Sequence, residues 1–359
     1  MSNPITVVLT CAASPMAVEM IRALQRCRSA PVRVVGVDME PNGVGRSAAD
    51  AYEQVPSGRD PAYVDRLLEI CRRHEARLVI PCSDEEALTL AKTSDRFQAA
   101  GTLCTVPRRE FVDLFSDKAT MLQWLKSRGV PVPNAIKATT ADELVEAAKQ
   151  IGYPQRPCVV KPVSGRGGRG VWLLREQGSS LEELTSQMSL DVITLETFLR
   201  AMRSHQAPTA WLVMEQLTGP VFDVDVLARA GEPLAVVARR RFHPRTTPFR
   251  GCVLEPHPGV LALAYQILTA LQLHYLHDID IMLDAEGVPH VLEVNPRLSG
   301  SVIATVAAGF NMLEGLVCLA LGQDVPTGPI PYGASIRPSI RTVREHAPVI
   351  LEQQPALAR

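Results

Sequence analysis

The sequence predicts an α/β fold in the N-terminal third of the chain and a mixed, α+β arrangement in the rest. Apolar strands at Ile5–Thr10, Val32–Asp38 and Leu78–Pro81 alternate with amphipathic helices, which is typical of a parallel sheet covered on both faces. Later in the chain, Tyr275–Leu283 and Val288–Val294 flank a turn, so we expect a hairpin there. At 359 residues the chain is too long for a single core, and we expect two or three packed units.

The composition is that of an ordinary globular protein. Hydrophobic residues make up 46% and charged residues 21% of the chain, and the formal net charge is −1. This balance gives no reason to expect nucleic acid or an anionic membrane as a partner. No apolar run approaches the ~18 residues that a membrane span needs, and no two of the eight cysteines form a C-x-x-C pair. We therefore expect a cytoplasmic protein with free thiols.

The first strand–helix–strand segment invites comparison with a dinucleotide-binding domain, because its second strand ends in Asp38. The loop after the first strand argues against this interpretation. It reads Cys11-Ala-Ala-Ser-Pro-Met, without a glycine, whereas a dinucleotide site needs glycines so that the backbone can approach a pyrophosphate. We therefore interpret Asp38 as an acid at a strand end.

A glycine-rich loop joins two predicted strands in the middle of the chain, and it spans Lys161 to Gly170. No Gly-Lys-Ser/Thr closes the loop and no helix follows it, so it is not a Walker A loop. Glycines in such a loop allow backbone N–H groups to approach phosphates, although similar loops also occur as exposed hairpins. The candidate phosphate ligands in it are Ser164, Gly165, Gly167 and Gly168.

Two lysines are candidate phosphate ligands. Lys161 interrupts an otherwise apolar strand directly before the glycine-rich loop, so its ammonium group is expected to pair with an anion rather than with solvent. Lys118 lies in the first turn of a predicted helix. Taken alone, Lys118 is more typical of a solvated surface lysine.

Oxygen-bearing side chains converge on the predicted hairpin near residue 284. Asp280 lies in its first strand and Glu293 and Asn295 lie in its second. The period of two places Val291, Glu293 and Asn295 on one side of that strand, and the hairpin returns Asp280 beside them. Such a group is costly to bury without a cation, and Mg²⁺ prefers oxygen ligands, although a satisfied polar network is the alternative. Arg297 follows and is suited to neutralising a phosphoryl group.

The order of these residues along the chain resembles the motif order of the ATP-grasp superfamily. The motif Glu293-Val-Asn-Pro-Arg297 is most similar to that of the branch related to the carbamoyl-phosphate synthase large subunit. The resemblance covers roughly residues 5–325. It implies an N-terminal, Rossmann-like pre-ATP-grasp domain at 1–112 and a central ATP-binding domain formed by 113–154 together with 215–325. A small lid with the glycine-rich loop would lie at 155–214, and the tail at 326–359 would pack on the core.

The resemblance also implies roles for individual residues, with ATP and Mg²⁺ (or Mn²⁺) as cofactors. Lys118 and Lys161 would hold ATP phosphates, and Arg297 would stabilise phosphoryl transfer. The adenine pocket would be formed by Glu215, Gln216 and Leu217. The metal ligands would be Asp280, Glu293 and Asn295.

The sequence departs from the family pattern at the ribose. Family members often carry a glutamate shortly after the glycine of the Glu215 segment, and Val221 or Phe222 stands there instead. Asp223 is the candidate for the ribose contact, and a different mode of ribose binding is the alternative. A carbamoyl-phosphate synthase would also need a second ATP-grasp copy, and this chain has one.

On the substrate side, arginines close to the catalytic strands are suited to a carboxylate, and we select Arg241 and Arg250, with Ser299 and Gly300 after the motif. The predicted activity is carboxylate–amine ligation through an acyl phosphate, with release of ADP and phosphate. The alternatives are activation of bicarbonate or of a nucleotide-pathway substrate, and a nucleotide-binding sensor without turnover. Expected partners are small molecules; the sequence leaves the oligomeric state open, with a homodimer as the general prior for a soluble enzyme.

Overall fold

The computed structural model describes residues 4–164, 170–177, 191–204, 210–243, 250–326 and 328–338. These residues form three β-sheets with helices packed on them. The first sheet is parallel and the other two are largely or wholly antiparallel, which confirms the predicted α/β fold with α+β character after the N-terminal third.

The first sheet is built from the N-terminal strands, all parallel, in the order β3-β2-β1-β4-β5. Its strands are β1 (Ile5–Leu9), β2 (Val32–Asp38), β3 (Ala51–Gln54), β4 (Leu78–Ile80) and β5 (Leu103–Cys104). Its helices are α1 (Ala17–Gln25), α2 (Tyr63–Arg73) and α3 (Asp84–Ala99). The chain adds strands in one direction from β1 to β3 and in the other direction from β4 to β5. In parallel sheets, ligands bind at such a switch point, beside the carboxyl ends of the two central strands.

The second sheet has the order β6-β10-β7-β8-β9. Its strands are β6 (Ala135–Ala138), β7 (Cys158–Pro162), β8 (Trp172–Leu174), β9 (Asp191–Ile193) and β10 (Trp211–Glu215). The helices α4 (Val112–Ser116) and α5 (Lys118–Lys126) precede it, and α6 (Ala141–Ile151) and α7 (Leu195–Ser204) lie within the same stretch of chain.

This sheet differs from the predicted lid in two ways. The lid was expected to begin at residue 155, but β6 pairs with β10, and α6 packs on the same sheet through Leu144 and Ala148. These shared hydrogen bonds and apolar contacts place 135–154 with the lid strands rather than with the central part. The polar pattern of Ser179–His205 predicts helix, and the structure has a helix at Leu195–Ser204 but a strand, β9, at Asp191–Ile193; residues 178–190 and 205–209 lie outside the described part of the chain.

The third sheet is antiparallel throughout, in the order β15-β14-β11-β12-β13-β16. Its strands are β11 (Val221–Arg229), β12 (Glu232–Arg241), β13 (Cys252–Leu254), β14 (Tyr275–Leu283), β15 (Pro289–Asn295) and β16 (Ser335–Ile336). Helix α8 (Pro258–Ala270) covers one face together with α5. The helices α9 (Ile303–Ala307) and α10 (Met312–Ala320) lie against the other face.

The third sheet and the N-terminal unit share a hydrophobic core. Leu227 and Val237 of the sheet, Leu316 of α10 and Leu24 of α1 belong to one buried cluster. This cluster covers only part of the sheet face, and the remaining part carries the polar residues described below. Of the predicted tail, residues 339–359 lie outside the described residues, and β16 joins the sheet through β13.

Within the described part of the chain, no single helix is long and apolar enough to cross a membrane. One bent pair of helices, Gly300–Ala307 with Met312–Ala320, meets the criteria of length and composition only when taken together.

A β-bulge interrupts the hairpin of β14 and β15. Asp280 pairs with Glu293 and Ile281 pairs with Val291, so Leu292 is the extra residue on β15. The predicted period of two is therefore wrong at this point. Val291 does not share a side with Glu293, because the bulge turns Val291 into the same buried core as Val294.

Candidate active site

One face of the third sheet carries a dense group of charged side chains at the end away from the shared core. Residues that pair directly across strands have side chains on the same face. The register pairs Asp223 with Asp280 and with Arg239, and it pairs Asp280 with Glu293. A second row pairs Asp225 with Asp278, which in turn pairs with Asn295. The sheet register therefore brings together residues that lie more than seventy positions apart.

Lys118 approaches this face from the first turn of α5. The helix is capped by Asp117, whose carboxylate accepts a hydrogen bond of 3.0 Å from the Thr120 N–H, and the Lys118 N–H donates to the Val163 carbonyl at 3.0 Å. These bonds direct the lysine side chain inward, where Nζ lies 3.1 Å from Oε1 of Glu293. The side chain is only 14% exposed, so Lys118 is not the solvated surface lysine that the sequence alone favours.

Lys161 approaches the same strand from the second sheet. It is 8% exposed, and its Nζ donates to the main-chain carbonyl of Leu292 at 3.3 Å. Leu292 is the bulged residue, so its place in the ladder is irregular and its carbonyl is accessible to a side chain. Burial lowers the pKa of Lys161, with the carboxylate of Glu293 opposing that shift.

The three predicted metal ligands lie on one face, and each has a partner: Glu293 contacts Lys118, and the other two contact residues of the third sheet. Asp280 accepts from Arg241 at 2.5 Å, and the Asn295 side-chain amide donates to Asp278 at 3.0 Å. Burial raises the pKa of Asp280 to about 7, with Arg241 opposing the shift. A carboxylate that is so costly to ionise is suited to a cation, which removes the cost.

A second grouping of carboxylates overlaps the predicted one. Among the described residues, Asp223, Asp278 and Asp280 offer oxygen atoms that all lie within 4.8 Å of one another. Only Asp280 belongs to the set predicted from sequence. The structure thus adds Asp223 of β11 and Asp278 of β14 to the acidic group.

Two arginines of β12 neutralise part of this group. Arg239 is fully buried and donates to both oxygens of Asp225, at 2.7 and 2.9 Å, and more weakly to Asp223 at 3.5 Å. Arg241 donates from Nε to Asp223 at 3.0 Å and also contacts Asp280. Burial alone would raise the pKa of Asp223, but Arg241 and Arg239 outweigh it and lower the pKa.

Two predictions from sequence are corrected by these contacts. Asp223 was assigned to the ribose, but it is 2% exposed and its carboxylate is held between the two β12 arginines. Arg241 was assigned to the substrate, but its guanidinium group is engaged by Asp223 and Asp280 inside the cluster. Both residues therefore belong to the carboxylate–arginine network of the sheet.

Arg297 connects the third sheet with the N-terminal unit. Its Nε lies 2.9 Å from Oδ1 of Asp84, the first residue of α3, and one terminal nitrogen lies 3.5 Å from Oδ2 of Asp278. It also donates to the Leu298 carbonyl at 3.0 Å. Burial opposes its charge, but Asp84 and Asp278 raise the pKa of Arg297. A permanently charged donor is thus held at the edge of the cluster.

The residues after the motif form a capped turn. Ser299 is 5% exposed, and its hydroxyl accepts from the Ser301 N–H at 3.1 Å. The Ser301 hydroxyl in turn accepts from Arg239 at 2.9 Å, so the charge network also fixes this turn. Gly300 is exposed, with open space around its α-carbon. Arg250 is partly buried and begins the stretch after 244–249, which lies outside the described residues.

The residues assigned to adenine lie at the end of β10. Glu215 accepts from the Asn134 N–H at 2.7 Å and from its side-chain amide at 3.4 Å, which joins the end of β10 to the start of β6. Leu217 is buried and Gln216 is partly exposed. The predicted loop ligands Gly165, Gly167 and Gly168 lie outside the described residues, and Ser164 is exposed at the edge of the second sheet.

A cleft of about 210 Å³ lies between the N-terminal unit, α5 and β15. The polar residues that line it include Arg59, Asp84, Lys92, Lys118, Ser164 and Glu293. It therefore contains three of the predicted phosphate and metal residues together with side chains from the N-terminal unit.

Several members of this site were not selected from sequence. Asp225 and Arg239 did carry a signal, because each lies two positions from another charged residue in an apolar strand and so shares its face. Asp278 carried the same signal, because it lies two positions before Asp280. The sequence around Asp84 does not indicate a functional role, because acidic residues are common in the first turn of a helix.

Three family models match successive segments of the chain. Residues 8–105 match the PylC-like N-terminal domain, residues 117–204 match the ATP-binding domain of the carbamoyl-phosphate synthase L chain, and residues 207–339 match the ATP-grasp family of the biosynthetic pathway with the Ter operon. The chain belongs to the ATP-grasp superfamily. Within it, the matches place the chain in the branch related to the carbamoyl-phosphate synthase large chain.

Individual relatives are distant. The carbamoyl phosphate synthase large chain of Clostridium acetobutylicum is 22% identical over 304 residues, which is 81% of this chain and 26% of the relative. The chain thus spans about a quarter of that relative's length. The ADP complex of N5-carboxyaminoimidazole synthetase from Staphylococcus aureus has a TM-score of 0.68 at 14% identity, covering 91% of this chain and 79% of the other. L-amino acid ligase from Bacillus licheniformis has a TM-score of 0.60 at 16% identity, with coverage of 89% and 75%.

Proposed function

We propose that the chain is an ATP-dependent carboxylate–amine ligase that works through an acyl phosphate and releases ADP and phosphate. The observation that carries the proposal is the convergence of two lysines from different elements on one carboxylate-bearing strand. Lys118 contacts Glu293 at 3.1 Å and Lys161 contacts the adjacent Leu292 carbonyl at 3.3 Å. Such a place offers both cationic groups for phosphates and oxygen ligands for a divalent ion.

In this proposal, Mg²⁺ is held by Asp280, Glu293 and Asn295, and the two lysines hold ATP phosphates. The raised pKa of Asp280 and the crowding of carboxylate oxygens fit a divalent cation. When bound, the ion would supply charge neutralisation for the phosphates. Gly165, Gly167 and Gly168 with Ser164 are proposed to cover the phosphates, and Glu215, Gln216 and Leu217 to line the adenine pocket.

The proposed reaction has two steps. First, a carboxylate oxygen attacks the γ-phosphorus of ATP; a bond forms between them, the bond to the β–γ bridging oxygen breaks, and ADP leaves with the electron pair. Second, a neutral amine attacks the acyl carbon and a C–N bond forms. The bond between the acyl carbon and the phosphate oxygen breaks, and phosphate leaves with the electron pair and takes up the proton that the nitrogen loses. Arg297, fixed by Asp84, is proposed to stabilise the charge on the transferred phosphoryl group.

The proposal is tested with Mg·ATP and a panel of amino acids and small carboxylic acids, offered singly and in pairs. We expect ADP and phosphate to appear only with a carboxylate, and added hydroxylamine to trap a hydroxamate. Bicarbonate belongs in the panel, because ADP release that depends on it alone would support activation of bicarbonate instead. Release of AMP and pyrophosphate would contradict the acyl-phosphate route. No ADP release with any addition would favour a nucleotide-binding sensor. Homodimer formation and a cytoplasmic location stay predictions.

A further inference from the structure

Asp278 has a carboxylate oxygen that lacks a partner among the described residues. The residue is 4% exposed. Its Oδ2 accepts from the Asn295 amide at 3.0 Å and lies 3.5 Å from Arg297, whereas Oδ1 is buried without a hydrogen bond. A buried carboxylate oxygen left unpaired costs on the order of 1–3 kcal/mol or more, so natural proteins rarely keep one without a use.

Carboxylates outnumber guanidinium groups around Asp278. The guanidinium groups of Arg239, Arg241 and Arg297 contact the carboxylates of Asp84, Asp223, Asp225, Asp278 and Asp280. Among the described residues, none of these contacts is a hydrogen bond to Oδ1 of Asp278. A cationic donor at Oδ1 would therefore add a partner without replacing one.

We propose that Asp278 binds the protonated amino group of the amine substrate before it reacts. This inference rests on the proposed ligase function and names the charge of its second substrate. A primary ammonium group carries three N–H donors in a compact cation, and the oxygens of Asp278, Asp223 and Asp280 lie within 4.8 Å of one another. One nitrogen between them would fill the vacant acceptor of Asp278.

The position suits an amine that must reach an acyl phosphate. Arg297, which is proposed to stabilise the phosphoryl group, lies 3.5 Å from Oδ2 of the same Asp278. An amine held on Oδ1 would therefore lie on the same carboxyl group that Arg297 contacts through Oδ2, close to the proposed acyl phosphate. Binding both reactants in one site lowers the entropic part of the reaction barrier.

A second divalent ion is the competing occupant of this place. Arg241 already donates to one oxygen of Asp223 and to one oxygen of Asp280, so a metal coordinated by all three aspartates would compete with these buried contacts. An ammonium group on Oδ1 of Asp278 leaves both contacts in place. Binding of a second metal ion is therefore the competing outcome in the experiment below.

The first test uses crystals of the full chain grown with rubidium chloride, because Rb⁺ is a monovalent ion with an anomalous signal. We expect a Rb⁺ site bonded to Asp278 with Arg241 in place, and its loss in Asp278→Asn. The control is Asp284→Asn, at the tip of the same hairpin, where the amide oxygen can still accept the turn hydrogen bonds. No Rb⁺ at Asp278, or Mn²⁺ bound there in place of Arg241 in parallel crystals, would overturn the inference.

The second test uses the amine and carboxylate that the panel identifies. In Asp278→Asn we expect the KM for the amine to rise by about tenfold or more, while the KM for ATP changes by less than about twofold and hydroxamate trapping persists. Equal loss of hydroxamate and amide would place Asp278 in the ATP half of the reaction and overturn the inference. An inactive wild-type chain would contradict the proposed ligase function, and the Rb⁺ result would still decide whether Asp278 binds a monovalent cation.

Discussion

Lys161 donates a hydrogen bond to the main-chain carbonyl of Leu292, with 3.3 Å between Nζ and the oxygen. This contact joins β7 of the second sheet to the bulged residue of β15. The bulge separates Glu293 from the hydrophobic side of the strand and exposes a carbonyl to the lysine. One irregular residue thus sets both the orientation of a predicted metal ligand and the position of a predicted phosphate ligand.

The first prediction concerns that lysine. Replacing Lys161 with Met should reduce ATP-dependent turnover by about 100-fold or more, because a charge that is proposed to bind phosphate is lost. It should also lower the free energy of unfolding by about 1 kcal/mol, since the Leu292 carbonyl loses its side-chain donor. ADP release and urea denaturation measure the two effects. Lys149→Met, on an exposed surface of α6, is the matched control; equal effects of the two changes would contradict the assignment.

The second prediction concerns Glu293. Glu293→Gln should abolish ADP formation at saturating Mg²⁺, because the change removes a negative charge from the proposed metal ligands and breaks the ion pair between Glu293 and Lys118. Glu286→Gln at the exposed hairpin tip should behave like the wild type. Turnover that survives in Glu293→Gln would show that the metal ligands are assigned wrongly.

The third prediction concerns the buried pair of Arg239 and Asp225. Arg239→Met should destabilise the fold by about 3–5 kcal/mol, because it leaves Asp225 buried without its counter-ion. The double change Arg239→Met with Asp225→Leu should recover much of that loss, since it removes the uncompensated charge. Urea denaturation of the three proteins checks this. A double variant no more stable than Arg239→Met would argue that Arg239 acts mainly through Asp223 and Ser301.

The fourth prediction concerns pH. Burial raises the pKa of Asp280 to about 7, with Arg241 opposing and Asp223 adding to the shift. A cation binds the ionised carboxylate, so protons compete with it below that pKa. Lowering the pH from about 8 to about 6 should therefore weaken Mn²⁺ binding, by up to about tenfold per pH unit below the pKa. Electron paramagnetic resonance titrations measure this, and Asp280→Asn should flatten the dependence. An identical pH dependence in Asp280→Asn would contradict the prediction.

The fifth prediction concerns the contact between the N-terminal unit and the catalytic strand. Asp84→Asn removes the charge that fixes Arg297 at 2.9 Å. The maximal rate should fall by about tenfold while the KM for ATP stays within about twofold, because Arg297 is proposed to act on the transferred phosphoryl group. Asp95→Asn, on an exposed part of α3, is the control. A change confined to the KM for ATP would contradict a positioning role for Asp84.

Local patterns were sufficient to predict much of this site. Lys161, Asp280 and Glu293 were visible because a charged residue in an apolar strand needs a partner. The hairpin also followed from its turn at Asp284. Each of these signals lies within a few residues of sequence, where periodicity and turn chemistry operate.

Other features depend on which strands become neighbours. The bulge at Leu292 has no glycine to mark it, so the period of two gave the wrong side for Val291. The contact of Asp84 with Arg297 exists only because the N-terminal unit packs against the third sheet. The pairing of β6 with β10, which joins residues 135–138 to the second sheet, likewise depends on hydrogen bonds between distant segments that short stretches of sequence do not encode.

The central claim is that a carboxylate receives the γ-phosphoryl group of ATP beside Glu293 and Arg297. The most direct measurement uses the carboxylate that supports ADP release, labelled with ¹⁸O in its carboxyl group, and follows the inorganic phosphate by ³¹P nuclear magnetic resonance. Acyl-phosphate formation predicts that each phosphate released with the amide carries one oxygen from the carboxylate. Unlabelled phosphate accompanying amide formation would contradict the account.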